Sequence, residues 1–486
     1  MERLYETRTG RVIYDYALSE KMFAIYNERP EAFDENSTGY EWSEMGMATL
    51  FGLIYRGEAR YCIEHKKWYT YHDGAWRGDE GAILVSEKLK DFVRLMILYA
   101  DEIEDQDVRE DYKKFVNKMG DRRMRDRILK DATGDMAINV TEFDNNPYLI
   151  NCLNGTYDLK TQEFYEHRRE DFLTMQTAFS HTVQKSVRCH RWEQFIDEVC
   201  EGDKDKADFL QRALGYSILG KSNEECMFIL HGRSTRNGKS TLLNTIETLL
   251  GDYAKVAPVG IICKGMKKDP ESASPTLAGL KGKRIVTMAE SSEYGALDEE
   301  TIKQLTGGEA ISARALYQAA VTYTPQFTIW LSCNTLPRVS DRSLFRSSRI
   351  KVIEFNRHFG GKTQDKSLKE YFTEPEQMKG VFNWLIEGYV NYQTHGLDVP
   401  ESIQHVIDRY SRDNDAIRQF LEARCERAEG NVMKTRDLYK AYKMWAKTEG
   451  QKIMRMFNFK MELETMTTWC KRVNDDFEGV KLKGVM

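Results

Sequence analysis

The sequence predicts an α/β chain with a nucleotide-binding core, a helical region ahead of that core and a winged helix at its C-terminal end. Three observations predict this class. Between about residues 221 and 360, apolar strand-like runs alternate with helical segments, the pattern of a parallel sheet with crossover helices. Within that span, Met227–Thr241 (MFILHGRSTRNGKST) runs from an apolar strand through a glycine-bounded loop into a helix ending near Leu250 and Gly251. The last seventy or so residues read as three helices and a short β-ribbon.

The order strand, glycine loop, helix is what a nucleoside triphosphate site requires. Backbone N–H groups and the positive end of the helix hold phosphate oxygens. Lys239 supplies a mobile charge to the outer phosphates, and the Ser240 hydroxyl ligates the Mg²⁺ that shields them. Gly232, Asn237, Gly238, Lys239, Ser240 and Thr241 are therefore the candidate nucleotide residues. The spacing departs from the usual one: five residues separate Gly232 from Gly238, so Arg233 stands where a glycine is expected. Gly232 then has to open the loop one residue early.

Composition narrows the alternatives. Net charge is −5 over 486 residues and 41% are hydrophobic, values ordinary for a soluble intracellular protein of three or four domains. No apolar run approaches the ~18 residues of a membrane span, and the first residues lack the apolar core of a signal peptide. The nine cysteines are scattered without a C-x-x-C pair, which points to reduced buried thiols and not a metal cluster. Charge is unevenly spread: Asn431–Met486 holds 12 Lys and Arg against 7 Asp and Glu, on an otherwise acidic chain. A basic end module implies a polyanion partner. A second basic run, Lys113–Lys130, reads as a solvated helix face.

Four segments follow along the chain: 1–95, an accessory module; 96–220, mainly helical; 221–400, the nucleotide core; and 405–486, the winged helix. In the first, Arg60–Trp76 alternates as a strand pair with Asp73-Gly74 at its turn, and its aromatic residues are expected to fill a small core. In the second, Asn154-Gly155 marks a hairpin-type turn. In the last, helices over Ala416–Glu426, Thr435–Thr448 and Met456–Met466 precede strands at Trp469–Val473 and Val480–Leu482. Such a fold sets Met456–Met466 in a DNA groove or else docks a protein. For DNA, Lys452, Arg455, Lys460, Lys471, Arg472, Lys481 and Lys483 are the candidate phosphate contacts.

Catalytic candidates come from the ends of the core strands. Arg284–Met288 ends at Ala289-Glu290, and a carboxylate there polarises the attacking water and holds the metal's water shell, with Glu293 as a helper. Lys303 lies on a short helix before Thr306-Gly307-Gly308. Ile311–Tyr323 reads as a hairpin, carrying Arg314 and a tip near Gln318. Phe327–Cys333 delivers Asn334 to a strand end, where its amide positions water against the γ-phosphate. Arg346 and Arg349 precede a further strand, and either can serve as a finger reaching a neighbour's nucleotide.

Taken in order, GxxxxxGKST, AE, KxLTGGExIxAR, WLSCNTLP and SRIKVIEF resemble the superfamily-III helicase core, closest to phage and plasmid primase–helicases of the poxvirus type. FDNNPYLINCLNGTYDL, FLQRALGYSILG and VFNWLIEGYVNYQTHGLDVP extend the likeness over roughly residues 140 to 480. The resemblance implies an AAA+-like, ATP-driven homohexameric ring translocating on single-stranded or forked DNA. Lys239, Ser240 and Thr241 match its phosphate and Mg²⁺ residues, Glu290 its catalytic carboxylate and Asn334 its γ-phosphate sensor. Lys303 and Arg314 fall within its signature, and Gln318 stands where a basic DNA-gripping residue is favoured. Only Arg349 of its usual arginine pair is kept, so the finger stays open between Arg349 and Arg346.

The resulting expectation is a replicative DNA helicase of a phage, plasmid or mobile element, acting in the cytoplasm of a bacterial host. A separate primase or other replication proteins would be its partners, since no paired-acid primase motif precedes the core. The alternative is an ATP-dependent origin-binding initiator that assembles on DNA with little unwinding.

Overall fold

Strands buried on both faces read as unbroken apolar runs, and the core of this chain is built from such strands. The structure, a computed structural model, describes residues 4–33, 39–184, 186–264, 274–289, 296–314, 320–339, 343–361, 364–450, 453–466 and 470–483. It divides into two compact units, one formed mainly by the chain up to Gln184 and the other mainly by the chain beyond it.

The first unit opens with a small strand pair, β1 (Tyr5–Glu6) and β2 (Val12–Ile13), then helices α1 (Tyr16–Glu28) and α2 (Glu44–Tyr55). Strands β3 (Ala59–Cys62), β4 (Lys67–His72) and β5 (Ala75–Asp79) follow, then α3 (Ile83–Tyr99), α4 (Gln106–Lys118) and α5 (Arg122–Asp135). Strand β6 (Ala137–Ile138) closes a sheet in the order β5-β4-β3-β6. At the β4–β5 turn, Asp73 and Gly74 both take positive φ (52° and 76°), as a two-residue hairpin turn with the twist of its strands requires. The hairpin's rings are core: Trp68, Tyr69 and Trp76 are buried, and Trp76 stacks on Phe172 at 5.7 Å.

The expected divide at residue 95 falls inside α3. Phe92, Leu95, Met96 and Tyr99 share one apolar cluster with residues from Tyr5 to Met136, so the helix belongs to both sides of that line. In α5 the buried residues Met124, Ile128 and Ala132 recur every four positions, which leaves Arg122 and Arg127 facing solvent as the composition implied. The helical reading of 96–220 is corrected between Leu149 and Tyr165. There β7 (Leu149–Cys152), β8 (Gly155–Asp158) and β9 (Glu163–Tyr165) form an antiparallel sheet. The hairpin-type turn expected at Asn154-Gly155 is present: Leu153 and Asn154 link β7 to β8, with Cys152 opposite Gly155.

The second unit begins with α6 (His190–Cys200) and α7 (Lys204–Ser217). The nucleotide-type core then runs through β10 (Met227–His231), α8 (Lys239–Leu250), β11 (Ala254–Val256), α9 (Pro275–Ala278), β12 (Ile285–Ala289) and α10 (Glu299–Thr306). A two-stranded sheet, β13 (Ile311–Arg314) with β14 (Ala320–Tyr323), is followed by β15 (Thr328–Cys333), α11 (Ser343–Arg346) and β16 (Ile350–Glu354). The main sheet has the order β11-β12-β15-β10-β16, and all its pairings are parallel. Every residue of β10 is buried, and Phe228 stacks on Trp330 of β15 at 4.5 Å.

Helices α12 (Leu368–Tyr371), α13 (Pro375–His395) and α14 (Glu401–Asp413) complete this layer. Helix α13 crosses α7 at two glycines: a Cβ on Gly215 would lie 2.2 Å from the Tyr389 nitrogen, and one on Gly388 2.2 Å from the Gln211 carbonyl oxygen. The end module comprises α15 (Ala416–Arg424), β17 (Cys425–Met433), α16 (Thr435–Thr448), α17 (Met456–Met466), β18 (Lys471–Val473) and β19 (Asp476–Leu482). Its antiparallel sheet has the order β17-β19-β18 around a core that includes Phe420, Tyr442, Trp445 and Phe459. The long strand β17 takes over from α15 at Cys425, where a helix was expected to run on to Glu426. Its stability comes from pairing with β19 some fifty residues later, which leaves no local signal.

Candidate nucleotide site

In parallel sheets, ligands gather where several strands end together at their carboxyl ends. Here His231 of β10 is level with Cys333 of β15 on one side and Glu354 of β16 on the other. The residues that leave those strands, Gly232, Asn334 and Phe355, therefore emerge side by side.

The loop between β10 and α8 is held from both directions. The Gly232 N–H donates to the Cys333 carbonyl at 3.2 Å. A Cβ on Gly232 would lie 2.1 Å from Asn237 Nδ2 and 2.6 Å from the Phe355 carbonyl oxygen, so only glycine fits there. This explains the displaced spacing: the steric need falls on 232, while Arg233 is exposed and unconstrained by such contact. Asn237 is buried and donates to the Ser234 carbonyl at 2.8 Å. Gly238 takes φ +91°, and a side chain there would strike Val199 and Phe195 of α6. Beyond β16 the chain straps the loop, with Phe359 N–H donating to the Arg236 carbonyl and His358 Nδ1 within 2.8 Å of the Thr235 carbonyl.

Lys239, the first residue of α8, is 5% exposed. Its ammonium donates to the Gly232 carbonyl at 3.1 Å and to Asn334 Oδ1 at 3.0 Å. The structure thus brings together the lysine of the loop and the amide of the neighbouring strand end. Ser240 and Thr241 open onto a cleft of about 380 Å³ whose far wall includes Phe195, Phe359 and Leu368. The Ser240 hydroxyl is exposed in the first turn of α8, where it fits a single oxygen ligand to Mg²⁺ among phosphate and water oxygens. Glu290 and Glu293 follow β12 in the chain and lie outside the described residues, as does Gln318.

A charged set missed in the sequence flanks the loop. The His231 imidazole, 3.6 Å away, and the Arg409 guanidinium, at 2.5 Å, hold the Glu354 carboxyl down at about 2. No local motif marks it, because its three members come from β10, β16 and α14.

The two finger candidates sit elsewhere. Arg349 precedes β16, at the end of the sheet opposite the loop, about 17 Å from it by the rise of a five-residue strand. Its guanidinium donates to Thr306 Oγ1 at 2.8 Å and to Glu225 Oε2 at 2.6 Å, and its side chain is 15% exposed. Arg346 on α11 is 57% exposed and donates to the Glu462 carboxylate of α17. Lys303 lies on α10 and Arg314 at the end of β13, both short of the hairpin tip. In the end module Lys460 pairs with Asp475 at 2.6 Å, Arg472 with Asp475 and Glu464, and Lys481 with Glu426. Lys483 Nζ donates to the Glu422 carbonyl, while Lys471 and Arg455 are exposed; Lys452 lies outside the described residues.

Three family models match the chain: "D5 N terminal like" over residues 48–201, a family of unknown function (DUF5906) over 230–349, and "Poxvirus D5 protein-like" over 412–481. Among curated proteins, a candidate helicase, L207/L206, of Acanthamoeba polyphaga mimivirus is 25% identical over 425 residues, 79% of this chain and 44% of that one. Primase D5 of Fowlpox virus (strain NVSL) is 25% identical over 248 residues, 48% of this chain and 30% of its own. The chain spans less than half the length of these relatives. Among solved structures, the apo C-terminal region of NrS-1 covers 91% of this chain and 100% of its own at 11% identity, with a TM-score of 0.46.

These relatives come from viruses of eukaryotes and do not support the bacterial host expected from the sequence. Among the described residues no helix is long and apolar enough to cross a membrane. D5-type models matched at both ends of the chain, together with these viral relatives, support a poxvirus-type primase–helicase family for it.

Proposed function

We propose that this chain is the motor part of a replicative DNA helicase of a virus or mobile element. It would be an AAA+-like superfamily-III ATPase that binds ATP with Mg²⁺ and works as a homohexameric ring on single-stranded or forked DNA. The observation that carries this reading is the Lys239 ammonium lying between the Gly232 carbonyl and the Asn334 amide, at the ends of two adjacent parallel strands. A γ-phosphate entering there meets a cation from the start of α8 and a water-orienting amide from the end of β15.

In this reading the loop N–H groups and the start of α8 hold the phosphates, and Glu290 polarises the attacking water. Mg²⁺, ligated by Ser240, neutralises charge on the outer phosphates when bound. Phe195 and Phe359 offer flat apolar walls to the base. Arg346 is the finger that acts on the neighbouring subunit's nucleotide, since it is the more exposed of the two arginines. Arg349, tied to Glu225 and Thr306, braces the segment that carries it. The end module, with its α-β-α-α-β-β order, acts as a winged helix that contacts DNA. The helicase and primase names of the relatives support the same reading.

Lys239→Ala tests it. ATP turnover is expected to fall by at least on the order of 10²-fold, with fork unwinding lost and the ring still visible by electron microscopy. A Lys239→Ala protein that unwinds forks at the normal rate would remove the site from the mechanism. Purified protein that stays monomeric with ATP and DNA present, yet hydrolyses ATP at full rate, would remove the ring.

A further inference from the structure

Three of the cations expected to contact DNA on the end module, Lys460, Arg472 and Lys481, are paired with its own carboxylates, yet the same unit holds a groove with two arginines that are not. The groove encloses about 970 Å³ and runs between the nucleotide core and the end module. Arg338, which follows β15, lies on one wall, and Arg455 and Phe457, at the start of α17, lie on the other. Both arginines are exposed, and among the described residues neither guanidinium is held by an ion pair or side-chain hydrogen bond. Phe457 is 73% exposed, far more than a ring of that size needs for packing. Of the other charges on the walls, Lys264 and Glu299 neutralise each other at 2.5 Å and Asp413 stands alone, so the groove stays net positive.

The walls are fixed. The Leu297 N–H donates to the Arg338 carbonyl and the Val339 N–H to Asn414 Oδ1, each at 2.8 Å, and the Tyr410 hydroxyl donates to the Pro337 carbonyl. Two unspent guanidinium groups, one beside an exposed ring and one across the groove from it, are the components of single-strand recognition. Phosphates take the cations, and any base takes the ring, because every base has a π face. A groove of this volume holds a few nucleotides of one strand.

We propose that this groove binds single-stranded polynucleotide, with a base stacked on Phe457 and the flanking phosphates on Arg338 and Arg455. The proposal rests on the reading of the chain as a DNA motor, and it moves the contact from the presented face of α17 to the groove behind it. The test is fluorescence anisotropy of a labelled oligothymidylate with the full chain, nucleotide-free, against a duplex of equal length.

Phe457→Ala is expected to weaken oligothymidylate binding by about 5- to 100-fold, leaving duplex binding and the melting temperature as they were. Arg338→Ala with Arg455→Ala is expected to reduce the slope of log affinity against log salt by about 1.4, the release from two single-strand phosphates. Unchanged affinity and slope in these variants, with wild type binding normally, overturns the groove and leaves the motor reading standing. Wild-type chain that hydrolyses ATP but binds no oligothymidylate overturns both. A Phe457→Ala chain that binds oligothymidylate normally but no longer self-associates in sedimentation assigns the groove to a neighbouring copy and overturns the proposal.

Discussion

Lys239 at the phosphate loop and Lys460 on α17 carry the same charge, and both lie on helices. Their surroundings differ. Lys239 donates to two neutral oxygens, the Gly232 carbonyl and the Asn334 amide. Lys460 donates to the Asp475 carboxylate, which it shares with Arg472, and the carboxyl of Asp475 is held below the usual range by Lys460 first and Arg472 after it. A neutral acceptor fixes the direction of a cation without cancelling its charge, whereas a carboxylate does both. Neither the Gly232 carbonyl nor the Asn334 amide takes up the charge of Lys239, whereas Asp475 takes up that of Lys460. The count of basic residues in the end module therefore overstates what it offers to DNA.

The arginines give the strongest way to break this comparison. Arg346 meets a carboxylate, Glu462, but the pair is more than half exposed on the arginine side, and such surface pairs are worth only about 0–1 kcal/mol. It can be released to a neighbour at little cost. Arg346→Ala is expected to reduce ATP turnover by about 10³-fold, as loss of a trans finger does, with partial rescue in rings mixed with Glu290→Gln subunits. Arg349→Ala is expected to lower the melting temperature and show no cross-subunit rescue. Rescue seen for Arg349→Ala and not for Arg346→Ala would exchange their roles and show that an arginine tied to both Glu225 and Thr306 can still be released.

A smaller effect is expected where geometry, not charge, is tested. Gly232→Ala drives a methyl against the Phe355 carbonyl and the Asn237 amide, so the loop has to move by a large fraction of an ångström. Displacements of that size cost up to about 10²-fold in a phosphate site, and titration with a fluorescent ATP analogue reads the loss. Arg233→Gly, which restores the usual glycine spacing, is expected to leave affinity unchanged because Arg233 is exposed. A gain in affinity there would mean that the loop is strained by the shift in spacing.

Much of the core was legible because its signals are local. The strand at Met227, the helix after Gly238, Asn334 at a strand end and the helices at Thr435 and Met456 each rest on neighbouring residues, and the structure has them within a residue or two of their expected bounds. What was not legible depends on distant partners. Strand β17 needs β19, the α6 ring Phe195 reaches the loop across forty residues, and the Glu354 set draws on three elements. Charge pairing is the extreme case: nothing in the order of residues says that Lys460 meets Asp475 or that Arg338 meets neither Glu299 nor Asp413.

Acid titration sharpens the comparison on the carboxylate side. Glu354, beside His231 and Arg409, has its carboxyl lowered from 4.5 to about 2 in the folded chain. A lowered folded value means stability that is complete above about pH 4.5 and is lost as pH falls toward 2. Glu354→Gln should therefore melt at a lower temperature than wild type near neutral pH, with the gap closing as pH approaches 2. A gap that stays constant across that range would show that the carboxylate's charge contributes nothing to holding β10 against β16.

The smallest effect is expected at Lys460 itself. If its ammonium were a phosphate contact, Lys460→Ala would lower the salt slope of duplex binding by about 0.9. Since the charge is taken up by Asp475, the slope is expected to stay as it is and the affinity to change little. Asp475→Asn is the complementary change: it frees Lys460 while Arg472 keeps Glu464, and duplex affinity and salt slope should both rise, the slope by about 0.9. A rise on removing the acid, with no fall on removing the base, is the signature of a cation spent inside its own module. A full loss of slope in Lys460→Ala would mean that the pair opens onto DNA, and that a carboxylate partner is no bar to phosphate binding.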